Sequence, residues 1–306
     1  VIGEHWKDNF LRSAAKDQAV DEMRVRQLRE WMDQPEPMGL PSLLQDLLIL
    51  TFAHQTNRAF TLHGGPAKVG LGELKDEMRL KQETLPDEDE WASAVELAQS
   101  IFGLAGPPAF PSGQNLLILQ DKLKEASGKA KSPAKDLEAA LARRAEDFGC
   151  GDLASAPRYQ AAKDANRLNR LIERAEGADL IQQLAGLKLE SPVEAVAVSL
   201  TQAGEVATCL DSAKLEVIEA AAEFAGERGR RCAAARDELY SAFCEHEYAT
   251  RLKPTFERVN QTCTQAALEI ARERQPEEPK EEEEPDETEA TPEAETKHCP
   301  VKRSQV

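Results

Sequence analysis

Apolar positions recur with helical rather than strand periods along most of this chain. From residue 4 to about 33, Phe10, Ala14, Val20, Met23, Leu28 and Trp31 stand among charged neighbours, which predicts one or two amphipathic helices. Gln34-Pro35-Glu36-Pro37 ends that stretch, because proline disfavours helical backbone in the residue before it. The densest apolar block follows. Pro41 suits a first helical turn, and Leu43, Leu44, Leu47, Leu48, Leu50 and Phe52 cover more than one face, so this helix is expected to be buried on most sides. After Gln55-Thr56-Asn57 the pattern shortens to Ala59-Phe60-Thr61-Leu62 and stops at His63-Gly64-Gly65-Pro66. That reads as a turn, a short strand and a tight loop, with a second strand expected near residues 68–71. Pro86 and the acids Asp87 to Glu90 open another helix, with negative charge at the positive end of its dipole. It runs to about Phe102. A Gly/Pro-rich loop at 103–113 then leads to a further buried helix beginning at Leu116-Leu117-Ile118-Leu119.

From Ser132 onward the pattern is almost wholly helical. Ser132-Pro133 and Ser191-Pro192 each place a cap residue before an N1 proline, and Glu194 completes a capping box with Ser191. Val196, Ser199, Ala203, Val206, Leu210, Ala213, Val217, Ala220 and Phe224 then alternate at spacings of three and four. A seam of that period predicts a coiled-coil helix reaching roughly 50 Å. A second seam comprises Leu252, Phe256, Val259, Cys263, Ala266 and Ile270. It is preceded by a helix over about 230–250, with a reversal at Gly226 and Gly229. An antiparallel bundle within the chain buries both seams; a coiled coil between chains does so equally, and both readings stand.

The expected architecture is therefore mainly α. An amphipathic helical lead-in (1–36) precedes a compact α+β, winged-helix-like unit (37–131). Long helices forming a bundle or coiled coil (132–274) and a disordered acidic tail (275–306) complete it. The tail holds eleven acids and four bases, so −7 of the net charge of −17 sits there. An acidic body argues against gripping nucleic acid by general electrostatics, although a local basic patch remains compatible with it. Mean hydropathy is −0.53, and no apolar run approaches the roughly 18–20 residues that span a bilayer. No secretory signal is visible, and six scattered cysteines fit reduced thiols, so a cytoplasmic location is expected. Val1 fits either a non-standard start or a piece of something longer.

The motifs of chemistry fail one by one. Gly65-Pro66-Ala67-Lys68-Val69-Gly70 is followed by Leu71 where a phosphate loop needs lysine, and Ser127-Gly128-Lys129 by Ala130 where it needs a hydroxyl. No C-x-x-C pair exists, and Cys244-Glu245-His246-Glu247 on a helix would point its side chains apart. No G-x-S-x-G elbow accompanies His63-Gly64-Gly65, which reads as a structural turn. Catalytic, cofactor-binding and metal-binding residues are thus assigned to no position.

One block does resemble a known family. Leu43-Leu44-Gln45-Asp46-Leu47-Leu48-Ile49-Leu50-Thr51-Phe52-Ala53, then Gln55-Thr56-Asn57-Arg58 and His63-Gly64-Gly65-Pro66, is similar to a segment of the PglY/BREX-type phage-resistance ATPases. There an apolar helix precedes a T-[DN]-R turn and a short strand toward a Gly-Gly pair. The resemblance covers residues 35–130, and the helical remainder by general character. It implies the C-terminal part of such a protein, acting as a non-catalytic interaction scaffold beside other parts or subunits of an antiphage complex. ATP enters only through a nucleotide-binding region upstream. On this reading Arg58 is either an inter-subunit contact or a turn residue capping helix carbonyls. Leu210, Val217 and Phe224 mark a seam for interaction or self-association over 196–224. The alternatives are a free-standing cytoplasmic coiled-coil adaptor and a DNA-binding module built on residues 41–71.

Overall fold

The structure, a computed structural model, describes residues 4–105 and 110–274. The acidic tail expected to be disordered lies outside those residues, as do parts of the loop at 103–113. The first unit is a small helical and β assembly. It contains α1 (Glu4–Lys16), β1 (Glu22–Arg24), α2 (Val25–Met32), α3 (Ser42–Gln55), β2 (Arg58–Leu62), β3 (Gly65–Pro66) and β4 (Arg79–Gln82). The strands form one antiparallel sheet in the order β1-β4-β2-β3, with Met23 opposite Leu80 and Phe60 opposite Leu80. Three helices, a short strand between the first two, and a hairpin whose last strand pairs with that short strand make one small α+β unit, with α1 and α2 inside it. The strand expected near 68–71 does not form: β3 ends at Pro66, the backbone at 68–71 is a loop, and the next strand is β4. The helices of residues 4–32 contribute Phe10, Met23, Leu28, Trp31 and Met32 to the same core as Ile49, Phe52, Phe60, Met78 and Leu80.

Local chemistry explains the turns. Asn57 adopts φ 51° at the end of α3, a left-handed conformation that asparagine tolerates. His63 and Gly64 both have positive φ between Leu62 and Gly65, which pair across β2 and β3, so the His-Gly pair closes a two-residue hairpin.

The second unit is all helical: α4 (Glu88–Phe102), α5 (Gly113–Arg144), α6 (Pro157–Arg174), α7 (Gly177–Ala185), α8 (Val193–Ser212), α9 (Leu215–Ala222), α10 (Gly226–Cys244) and α11 (Leu252–Arg274). At the start of α4 the Asp87 backbone N–H donates to Glu90 Oε2. A 32-residue α5, about 48 Å long, packs with α6 and α8 and joins two cores. One core gathers Trp91, Leu116, Leu123, Leu168, Leu180 and Val196; the other gathers Leu141, Phe148, Leu210, Ile218, Phe243 and Val259.

Three sequence expectations give way here. Pro133 does not start a helix but lies inside α5, held there by the buried Ser127, Ala134 and Leu137 on either side. Ser191 and Glu194 do not form a capping box. Pro192 takes the N-cap, and the buried Asp164 of α6 accepts the Glu190 and Ser191 N–H groups at 2.9 and 2.8 Å. The seam of 196–224 does not run along one helix: it breaks at Ala213, whose backbone is extended, and resumes in α9. Its first half, Val196 to Leu210, is buried within the chain, whereas Val217 is 56% exposed, because after the break Leu215, Ile218 and Ala221 face inward. The second seam does run along α11, with Leu252, Phe256, Val259, Cys263 and Ala266 buried.

Candidate interaction surface

α3 is two-faced, and not in the way its apolar density predicts. Asp46, Ile49, Phe52 and Ala53 face inward, whereas Leu43, Leu44 and Leu47 are 55%, 41% and 50% exposed. The buried carboxylate is what turns the helix. Asp46 Oδ1 accepts from Arg29 Nη2 of α2 at 2.7 Å, and its Oδ2 accepts from the Gly72 N–H at 3.2 Å. Arg29 also reaches Asp76 at 2.5 Å and the Leu74 carbonyl at 3.1 Å. Burial alone would lower the Arg29 pKa, but the Asp46 and Asp76 carboxylates outweigh it and raise it. Satisfying Asp46 in this way costs α3 its leucines, since residues 43, 44 and 47 then point to solvent. Leu43 Cδ2 lies 3.4 Å from where a Cβ on Gly72 would sit, which puts it beside Leu71, itself exposed. Met38, in the segment leading into α3, is exposed as well. Exposed leucines clustered on one helix mark a docking surface more often than isolated ones do.

Arg58 sits in the interior. Its Nη2 donates to the Val20 carbonyl at 2.6 Å and to Gln82 Oε1 at 3.0 Å, and its guanidinium lies 5.8 Å from the Phe52 ring centroid. Burial lowers its pKa. It therefore ties β2 to β4 and to the α1–β1 connection. Leu210 is likewise a core residue, and Phe224 packs against that core at the α9–α10 turn beside Arg228 and Ile270. Only Val217 of the four residues singled out presents a side chain mostly to solvent.

The Cys244–Glu247 segment is not helical throughout, since α10 ends at Cys244. Glu247 pairs with Arg158, and the His246 ring stacks on Tyr248 at 5.1 Å. Among the described residues, no group of three or more His, Cys, Asp or Glu side chains could hold a metal ion. No helix of the described residues is long and apolar enough to cross a membrane. Sequence reasoning missed the outward leucines of α3 because it counted them as core; Asp46 in the middle of the apolar run was the signal.

A small α+β unit whose third helix turns leucines rather than charge to solvent is joined to a helical bundle. Residues 1–53 match the fifth domain, and residues 95–275 the sixth domain, of the BREX system ATPase PglY protein. The chain belongs to the PglY family of BREX ATPases, a component of the BREX antiphage system. The matched domains are not the ATPase core. The extent differs from the block that carried the resemblance: the helical region to 275 is matched, whereas 54–94, with Asn57-Arg58 and Gly64-Gly65, lies between the two matches. No solved structure matches the chain.

Proposed function

We propose that this chain is a non-catalytic interaction scaffold of a PglY-type defence ATPase, working in the cytoplasm, and that the outward face of α3 docks on the rest of that ATPase. The observation that carries this reading is the exposed row Leu43, Leu44 and Leu47 on the helix that, in a helix-turn-helix arrangement, occupies the recognition position. A DNA-reading helix there needs cations for phosphates. α3 contains no lysine or arginine, so its chemistry suits an apolar partner surface. Self-association through 196–224 has less support, because Val196 to Leu210 are already covered by neighbouring helices.

The test is co-purification from cells carrying the complete defence system. Leu43→Glu/Leu47→Glu, in this chain tagged and expressed apart from the other ATPase domains, should abolish its co-elution with them while its thermal midpoint stays within a few degrees of wild type. Undiminished co-elution would overturn the reading.

A further inference from the structure

The helix face that the seams and cores leave unused is the outward side of α6. Lys163, Arg167, Arg170 and Arg174 follow one another at spacings of four, three and four, which places them within about 60° of arc on a helix of 3.6 residues per turn. Arg167 and Arg174 are separated by about 10 Å of helix rise. With α7 and its following turn, this face borders an open groove of about 530 Å³, lined by Arg167, Arg170, Arg174, Gln183, Leu171, Leu187 and Gly186. In a chain of net charge −17, a groove with three arginines and no carboxylate in its lining is unusual.

Two acids on neighbouring turns have partners of their own. Glu173 pairs with Lys131 across to α5, and Asp179 accepts the Gln183 amide at 2.8 Å. Arg167 donates to the Lys188 carbonyl at 3.2 Å, which fixes its side chain across the groove. Among the described residues, no carboxylate lies within ion-pair distance of Arg167, Arg170 or Arg174.

We infer that this groove binds phosphate groups, with Arg167, Arg170 and Arg174 as the ligating residues. Guanidinium forks match phosphate oxygens in pairs, and a phosphate offers enough acceptor oxygens for two neighbouring arginines to share one group. A carboxylate, with two oxygens, is saturated by one fork. Leu171 and Leu187 supply the apolar part of the lining. The lining holds no aromatic ring for a base to stack on, so the contact is to phosphate and not to bases. The phosphates belong either to a polyphosphate-bearing small molecule or to a nucleic-acid backbone. This inference is independent of the docking role of α3, since it uses the opposite unit of the molecule.

The experiment titrates the full chain with inorganic tripolyphosphate by calorimetry and with a short fluorescein-labelled DNA duplex by anisotropy, at several salt concentrations. Wild type should bind at least one of them, and duplex affinity, where seen, should fall with salt with a logarithmic slope of about −2 to −3. Arg167→Gln/Arg170→Gln/Arg174→Gln should weaken that binding roughly tenfold or more and flatten the slope. The charge-matched control Arg230→Gln/Arg251→Gln/Arg272→Gln should retain wild-type binding, and both variants should keep the wild-type circular dichroism spectrum. Binding of tripolyphosphate alone assigns a small phosphate ligand; a duplex signal that tripolyphosphate displaces assigns a backbone. Three results would each overturn the inference: no binding of either probe, equal loss in the control, or displacement by a poly-glutamate peptide as readily as by tripolyphosphate.

Discussion

Arg158, in the first turn of α6, forms an ion pair with Glu247 in the α10–α11 connection, and both side chains are almost wholly removed from solvent. The guanidinium also donates from Nη2 to the Ala242 and Thr250 carbonyls, at 2.7 and 2.8 Å, and from Nε to Phe243 at 3.2 Å. It thereby closes carbonyls at the end of α10 that the helix itself leaves open. Burial pulls the Arg158 pKa down to about 10, which still leaves the group charged at neutral pH. The pair thus holds the end of α10 through Arg158 and the start of α11 through Glu247, which accepts the Leu252 N–H at 3.2 Å. Removing it strands a buried carboxylate, so Arg158→Met should cost about 3–5 kcal/mol, read from urea unfolding followed at 222 nm. The double replacement Arg158→Met/Glu247→Leu should recover part of that loss, because no uncompensated charge remains.

The junction between the two units rests on adjacent residues at the start of α5. Gln114 Oε1 accepts the Phe60 N–H at 2.8 Å, and its amide donates to the Ala67 carbonyl at 2.9 Å. A Cβ on Gly113 would lie 2.6 Å from the Asn57 carbonyl oxygen. Gly113→Ala should therefore destabilise the chain by about 1–3 kcal/mol. In Gln114→Ala, hydrogen exchange at the Phe60 amide should accelerate while amides in the middle of α8 stay protected.

Cysteines set a limit at alkaline pH. Cys244 is pushed up to about 11 by burial and by Cys150, whose Sγ is 3.2 Å away; Cys263 is pushed up to about 11 by burial and by Cys232. A thiol with a folded pKa above its unfolded value of about 8.5 holds its proton more tightly when folded. That stabilising contribution is complete below pH 8.5 and is lost as pH rises through 11. Stability should fall across this window, and Cys244→Ala/Cys263→Ala should flatten the fall relative to wild type in a pH series of thermal midpoints. An unchanged slope would count against both assignments.

The two faces of α3 should respond oppositely to truncation. Leu47→Ser on the outward face should change stability by no more than about 0.5 kcal/mol. Phe52→Ala on the inward face should cost about 3–5 kcal/mol, since its ring packs edge-on against Phe10 at 5.0 Å. Chemical denaturation of the two variants measures the contrast.

Much of this fold is legible in the sequence, and the failures share a physical origin. Helical periods placed α4 and α11, and the His63-Gly64 pair marked its hairpin, because these signals are local. What the sequence concealed was decided by partners distant along the chain. Asp46 chooses the buried face of α3 only because Arg29 and Gly72 arrive to satisfy it. Pro133 stays inside α5 because packing on both sides outweighs one missing N–H. The seam spacing passes through Ala213 unbroken, yet the backbone turns there and leaves Val217 outside. Arg58 reads as an inter-subunit contact or a turn residue capping helix carbonyls until Val20, Asp21 and Gln82 converge on it. The α3 surface and the arginine groove were the least legible, since each depends on which residues remain uncovered after folding.

The most direct test of the account is site-specific photo-crosslinking from position 47 in cells that carry the complete defence system, with position 217 as the exposed comparator. The account predicts a crosslink from Leu47 to the ATPase and none to it from Val217. A crosslink from position 47 only to a second copy of this chain, or equal crosslinking to the ATPase from both positions, would contradict it.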